Sequence, residues 1–195
     1  MSYRIYTTDA LILRSATQGE ANRFFWLYTR DFGLVYATAQ SVRKHKSKLR
    51  YALQDYMYSS VSLVRGKRGW RIVGAQPQWS IWGELRDDSR KLAVGLNILS
   101  LLRRLVRGQA RDVALFSSVR ASFDELRTRE FAEGELGGFE LVAILRVLDL
   151  LGYLGSGELE EHARNLWESR EWEEAEAKRK VFIKTINASL RSSQL

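Results

Sequence analysis

Residues 57–75 read MYSSVSLVRGKRGWRIVGA, and they decide the fold class. Two runs rich in β-branched and aromatic residues, 57–64 and 70–75, flank the four-residue connection Gly66-Lys67-Arg68-Gly69, which is the pattern of a β-hairpin. In the first run Met57, Ser59, Val61 and Leu63 project to one side, and Tyr58, Ser60, Ser62 and Val64 to the other. Neither side is strongly polar, so both are expected to be partly covered. Towards the N-terminus three more runs, 10–13, 23–29 and 34–38, have the same character, and Gly33 fits the turn between the last two. Five antiparallel strands in about 75 residues predict a small closed barrel, for which the OB-fold is the commonest five-stranded choice.

Towards the C-terminus, the only proline, Pro77, is expected to end the strand region. From Asp88 onward the period becomes helical. Leu92, Leu96, Leu99, Leu102 and Val106 recur at spacings of three and four, as do Phe116, Val119, Phe123 and Leu126. Residues 139–151 are apolar on nearly every side, with Glu140, Arg146 and Asp149 their only charges, which predicts a central helix stopped by Gly152. Two more helices are expected over 158–168 and 172–190, the latter with Glu174 to Lys178 and Glu176 to Lys180 at i,i+4. The architecture expected is α+β: an OB-fold nucleic-acid-binding domain over residues 1–80, then an all-helical domain over residues 81–195 that supplies a core and partner contacts.

The formal net charge is +8, and it is unevenly placed. Residues 1–83 hold 13 Lys/Arg against 4 Asp/Glu, whereas the remainder holds 18 against 19, so the basic excess belongs to the barrel. Such an asymmetry points to a polyanion as the barrel's partner. Arg43, Lys44, Lys46, Lys48 and Arg50 follow the third strand, between Tyr36 and Tyr51, and Arg65, Lys67, Arg68 and Arg71 form a second cluster at the hairpin tip. With Arg14, Arg23 and Tyr36 these are the candidate nucleic-acid-binding residues. Cations there would neutralise phosphates and release counterions, and neighbouring rings would stack on unpaired bases.

Other chemistries find little support. With no cysteine there is no disulfide framework, no thiolate nucleophile and no Cys-based zinc site. Neither a Walker-type loop nor a dinucleotide fingerprint is present. His45 and His162 lie far apart without companions at ligand spacing, and the adjacent carboxylates Asp87-Asp88 and Glu173-Glu174 would diverge by about 100° on a helix. No catalytic residue, metal or cofactor is therefore expected. The N-terminus lacks the apolar core of a signal peptide, and no stretch has the ~18 apolar residues of a membrane span, so a cytoplasmic, nucleoid-associated protein without membrane contact is expected.

Several motifs in order and spacing carry a resemblance: Ala10-Leu11-Ile12-Leu13-Arg14, Gly19-Glu20-Ala21-Asn22-Arg23, Leu27-Tyr28-Thr29-Arg30-Asp31-Phe32-Gly33-Leu34, the basic run from Arg43 through Ala52-Leu53-Gln54, Arg65-Gly66-Lys67, and Phe139-Glu140-Leu141 through Leu150-Leu151-Gly152-Tyr153. The chain resembles the RecO family of bacterial DNA repair and recombination mediators. The resemblance implies an OB barrel on a helical domain, binding of single- and double-stranded DNA, annealing of complementary strands, and help in loading RecA, together with RecR, onto strands coated by single-strand-binding protein. It also implies that the helical domain receives the acidic, apolar-ended tail of single-strand-binding protein, for which Arg103, Arg104 and Arg107, beside the apolar stripe of residues 99–106, are candidates on spacing. Many relatives carry a four-cysteine zinc module after Leu-Gly-Tyr; here Gly155-Ser156-Gly157-Glu158 leads into an acidic helix, and the chain is shorter than is usual. From the residues alone, an OB-fold RNA-binding module remains an alternative, because stacking and phosphate contacts do not test for a 2′-hydroxyl. A nuclease using Asp31, Asp55 or Glu20 with a divalent ion ranks lower, because these carboxylates form no pair at metal-ligand spacing.

Overall fold

The computed structural model describes residues 4–44, 47–67, 69–154 and 158–192. Two compact units are present: Met1–Asp87 with Val106–Phe116, and Asp88–Leu105 with Ser117–Leu195.

In the first unit β1 (Ile5–Gln18), β2 (Asn22–Thr29), β3 (Gly33–Ala39), β4 (Met57–Gly66) and β5 (Gly69–Ser80) close into a barrel in the order β1-β2-β3-β5-β4. The five expected strands are all there, and one pairing differs from expectation. Every neighbour is antiparallel except β3 and β5, which run parallel at Ala37↔Trp70 and Thr38↔Arg71. The reason is arithmetic: strands that alternate in direction around a ring of odd number must leave one parallel pair. β1 serves two partners, Ile5 to Leu11 against β4 and Ala10 to Gln18 against β2, with a register shift between Ile12 and Arg14 where the strand bends. β5 runs through Pro77, which the sequence reading takes as an end. Pro77 sits beside the register shift between Tyr58 and Ser59, an irregularity of the kind at which a sheet tolerates a residue without an N–H.

Alternation fills the barrel with Ala10, Ile12, Phe25, Leu27, Val35, Ala37, Val61, Leu63 and Ile72. A one-turn helix, α1 (Leu49–Ala52), lies inside the basic run; four residues are too few to show a helical period in sequence. Val42 and Leu53, on either side of it, plug the core, and the Ser59 hydroxyl donates to the Ala52 carbonyl at 2.6 Å. A short helix α2 (Ile81–Leu85) follows β5, its N-terminus capped by the Ser80 hydroxyl.

The segment Val106–Phe116 straps onto this barrel. The Leu34 amide donates to the Gly108 carbonyl at 3.0 Å, and the Trp70 indole N–H donates to Gln109 Oε1 at 3.1 Å. Arg111 faces Asp31 at 3.6 Å, and Asp31 also accepts from the Thr8 hydroxyl at 2.7 Å. Gly33 has φ +61°, and a Cβ there would lie 2.3 Å from the Ala110 carbonyl oxygen, so the strap's approach excludes any side chain.

The second unit contains α3 (Ser89–Leu105), α4 (Val113–Thr128), which begins within the strap, α5 (Glu135–Leu150), α6 (Glu158–Ser169), α7 (Trp172–Ala177) and α8 (Arg179–Ser192). As expected, α5 is central, with Phe139, Val142, Leu145 and Leu148 fully buried, and Gly152 ends it at φ +76°. The single last helix expected from the pattern is two, broken at Lys178. The break lets Trp172 and Ala175 bury from α7 while Phe182 buries from α8. Glu174 pairs with Lys178 at 2.7 Å as expected, but Glu176 turns to Arg179 at 2.9 Å. At Gly138 a Cβ would meet the Trp172 carbonyl oxygen at 1.8 Å, so the backbones of α5 and α7 touch directly. Gly138→Ala should therefore force the two helices apart and destabilise this unit by at least about 1–3 kcal/mol, read as a lower urea midpoint by circular dichroism.

Candidate nucleic-acid interface

Period-two alternation along β2 sends Phe25 and Leu27 into the barrel and Phe24, Trp26 and Tyr28 to its outer face. Tyr36 of β3 stands opposite Trp26, and Arg14 of β1 stands opposite it on the other side. The outcome is a ring cluster: Phe24 meets Trp26 edge-on at 5.0 Å and Tyr36 nearly parallel at 6.2 Å, with the Arg14 guanidinium 5.4 Å from the Trp26 ring centre. Tyr36 is 42% exposed, Arg14 is exposed, and Phe24, Trp26 and Arg23 are half-buried. Rings fixed by their neighbours and open on one side can stack bases with little ordering cost, and the cation suits the adjoining phosphate. The stripe stops at Tyr28. There the strap's Phe116 covers the ring at 5.5 Å, leaving it 1% exposed and its hydroxyl without a hydrogen-bond partner among the described residues. Burial, and secondarily the charge of Asp112, pushes the Tyr28 hydroxyl well above the ordinary tyrosine pKa.

Beside this face lies a groove of about 720 Å³. The β1–β2 turn contributes Gln18 and Gly19, the end of β3 leads to Gln40, and the β4–β5 hairpin brings Lys67, Trp70 and Arg71. Arg43 ties the basic connection to the same turn, its amide donating to the Ala21 carbonyl at 3.2 Å and its guanidinium to the Gly19 carbonyl at 3.2 Å. Trp70 is buried at the groove wall, its ring 5.7 Å from the Arg65 guanidinium and its N–H on the strap's Gln109.

The structure thus brings Lys67 and Arg71 to one groove, with Arg43 bonded to the β1–β2 turn that helps line it, and Arg14, Arg23 and Tyr36 to the adjoining strands. Arg65 backs Trp70, while Lys44, Lys48 and Arg50 are exposed along the β3–β4 connection. Lys46 and Arg68 lie outside the described residues. Arg103 and Arg104 are exposed on the last turn of α3, where the helix dipole favours cations, and Arg107 is exposed in the strap. The sequence reading missed Phe24 and Trp26 as site residues. Their signal was available, since they occupy the phase of β2 opposite to Phe25 and Leu27. Among the described residues no three His, Asp or Glu side chains cluster to hold a metal, and no helix is long and apolar enough to cross a membrane.

A five-stranded OB barrel with a ring-bearing outer face, continued by a helical unit, is the class this chain falls in. Residues 1–73 match the family described as Recombination protein O N terminal. The DNA repair protein RecO of Dehalococcoides mccartyi is 32% identical over 148 residues, 76% of this chain and 56% of that protein. The DNA repair protein RecO of Myxococcus xanthus is 30% identical over 140 residues, 71% and 57% of the two chains, and that of Desulfitobacterium hafniense is 40% identical over 84 residues, 42% and 31%. The chain is thus similar to RecO proteins, through its N-terminal 73 residues and over most of its length. It spans a little over half the length of the first two relatives.

Tyr28 yields a test of the covered boundary. Its protonated form is favoured by folding, so its contribution is present below the unfolded tyrosine pKa and is lost as pH rises beyond it. Tyr28→Phe removes a buried hydroxyl that has no partner among the described residues, so stability at neutral pH should stay equal or rise, and alkaline unfolding should begin at higher pH. A loss above about 1 kcal/mol at neutral pH would reveal a hydrogen bond at that oxygen.

Proposed function

We propose that this chain is a DNA-binding recombination mediator that holds single strands on the outer face of β2 and β3 and along the adjoining groove, and anneals complementary strands. The observation that carries the reading is the fixed cluster of Phe24, Trp26 and Tyr36 with Arg14, next to a groove lined by Lys67 and Arg71. Stacking and backbone neutralisation hold a strand without occupying its pairing edges, and neutralising two backbones lowers the repulsion that opposes annealing. Similarity to RecO proteins favours DNA over RNA and supports a role in repair and recombination. On the same footing we assign the barrel region 1–80 to nucleic acid, double strands included, and the helical region 81–195 to protein partners. RecR, single-strand-binding protein and RecA are the partners proposed. The exposed Arg103 and Arg104, followed in sequence by Arg107, are offered to the acidic tail of single-strand-binding protein.

Two sets of substitutions separate stacking from charge. Trp26→Ala with Tyr36→Ala should weaken binding of a single-stranded oligonucleotide by at least about tenfold, with the salt dependence unchanged. Lys67→Ala with Arg71→Ala should instead reduce the log–log salt slope by about 1.4, since each single-strand phosphate contact contributes about 0.7. Fluorescence anisotropy across a salt series reads both. Wild-type affinity in the ring variant would overturn the assignment of this face.

A further inference from the structure

One end of the barrel carries two rings that nothing covers. Tyr51 on α1 is 70% exposed and Trp82 on α2 is 60% exposed. The backbone ties their two elements to one seam: Met57, at the start of β4, pairs with Ser80 at the end of β5, its amide donates to the Gln54 carbonyl at 3.2 Å, and the Ile81 amide donates to the Tyr56 carbonyl at 3.1 Å. Among the described residues neither ring contacts another aromatic side chain, whereas nearby Trp79 is stacked on Tyr58 at 5.0 Å. Lys48 and Arg50 flank Tyr51 in sequence, both exposed and neither in an ion pair among the described residues. The carboxylate of Asp55 is engaged by the Ser15 hydroxyl, and Arg86 by Asp87 at 3.8 Å.

The surroundings argue for a polyanion with flat bases. A contiguous apolar patch marks a protein-docking surface, and here the exposed residues that neighbour the rings in sequence are Arg50, Gln54, Asp55, Gly83, Glu84, Arg86 and Asp87, none of them apolar in side chain. Exposed rings beside cations that form no ion pair among the described residues are instead the composition of a single-strand platform. The β3–β4 connection starts at the groove, where Arg43 is bonded to the Gly19 carbonyl, and ends in α1, so one basic segment serves both places.

We propose that Tyr51 and Trp82, with Lys48 and Arg50, form a second single-strand binding site, so that one barrel holds two strands at once. The inference rests on the strand-binding role proposed for the β2–β3 face. Its consequence is kinetic. Two complementary strands on one barrel meet at an effective concentration in the mM range, and stacking on side chains leaves their pairing edges free.

The test uses the whole chain and a thymidine oligonucleotide of about ten nucleotides, long enough for one site. Stoichiometric titration at low salt should give two oligonucleotides per wild-type chain. Tyr51→Ala with Trp82→Ala should give one, with the tighter site unchanged within about twofold and annealing of complementary strands slowed by at least about tenfold. Tyr51→Phe, which keeps the ring, should behave as wild type, and Arg50→Glu should weaken only the second site. If the double variant still binds two and anneals at the wild-type rate, the second site does not exist, while the β2–β3 reading stands. If neither this variant nor Trp26→Ala with Tyr36→Ala alters binding, both readings fall. Photocrosslinking of a bromouracil oligonucleotide to the wild-type chain keeps the question answerable should a variant misfold: adducts at Tyr51 or Trp82 support the site, and adducts confined to β2 and β3 exclude it.

Discussion

Closure of a five-membered ring of strands governs most of what this barrel presents. An odd ring must leave one parallel pair, and in the strand order β1-β2-β3-β5-β4 that pair is β3 and β5, with β4 beyond β5. A chain leaving β3 therefore cannot turn back in a tight hairpin; it must pass across an end of the barrel to reach β4. Residues 40–56 make that passage, and passing over an open core obliges some of them to be apolar. Val42 and Leu53 meet that need, with Leu49 packed partly against the core. The described cations of the passage, Arg43, Lys44, Lys48 and Arg50, are exposed. The position of the cations thus follows from the strand order of the barrel.

Strand β2 shows how closely stability and binding are intertwined. Phe25 and Leu27 contribute to the core, and truncating a buried residue of this size costs about 3–5 kcal/mol, while Phe24 and Trp26 one residue away remain available to a ligand. A one-residue slip would exchange the two sets, so the register that maintains the core also maintains the ring face. Where the strap begins to cover the stripe, at Tyr28, the face ends.

Much of this was readable in the sequence because local chemistry and global fold agree there. The β4–β5 hairpin, the turn at Gly33, the apolar run of α5 and its stop at Gly152 all rest on short-range signals. What escaped the reading depends on distant partners. α1 is held by the barrel mouth and not by its own period, and Pro77 is tolerated because of a register shift set by β4. The interruption at Lys178 satisfies burial on two faces at once, although the i,i+4 charges alone favour continuity. For the site, the cations could be found from clustering. Phe24 and Trp26 could have been found by asking which phase of β2 the core leaves over, whereas the approach of Gln109 to Trp70 spans 39 residues and has no sequence signature.

The strap also affects the order in which the molecule can be made. A segment ending at Phe116 completes a barrel whose last strand ends at Ser80, so the barrel is not finished when its strands leave the ribosome. At about 5–20 residues per second, the stretch from residue 87 to residue 116 adds a few seconds during which Tyr28 lacks its cover and Trp70 its acceptor. All of α3 emerges within that interval. Early helical sequence and late barrel closure are thereby bound into one synthesis step, and a gene fragment ending at Asp87 would encode neither unit whole.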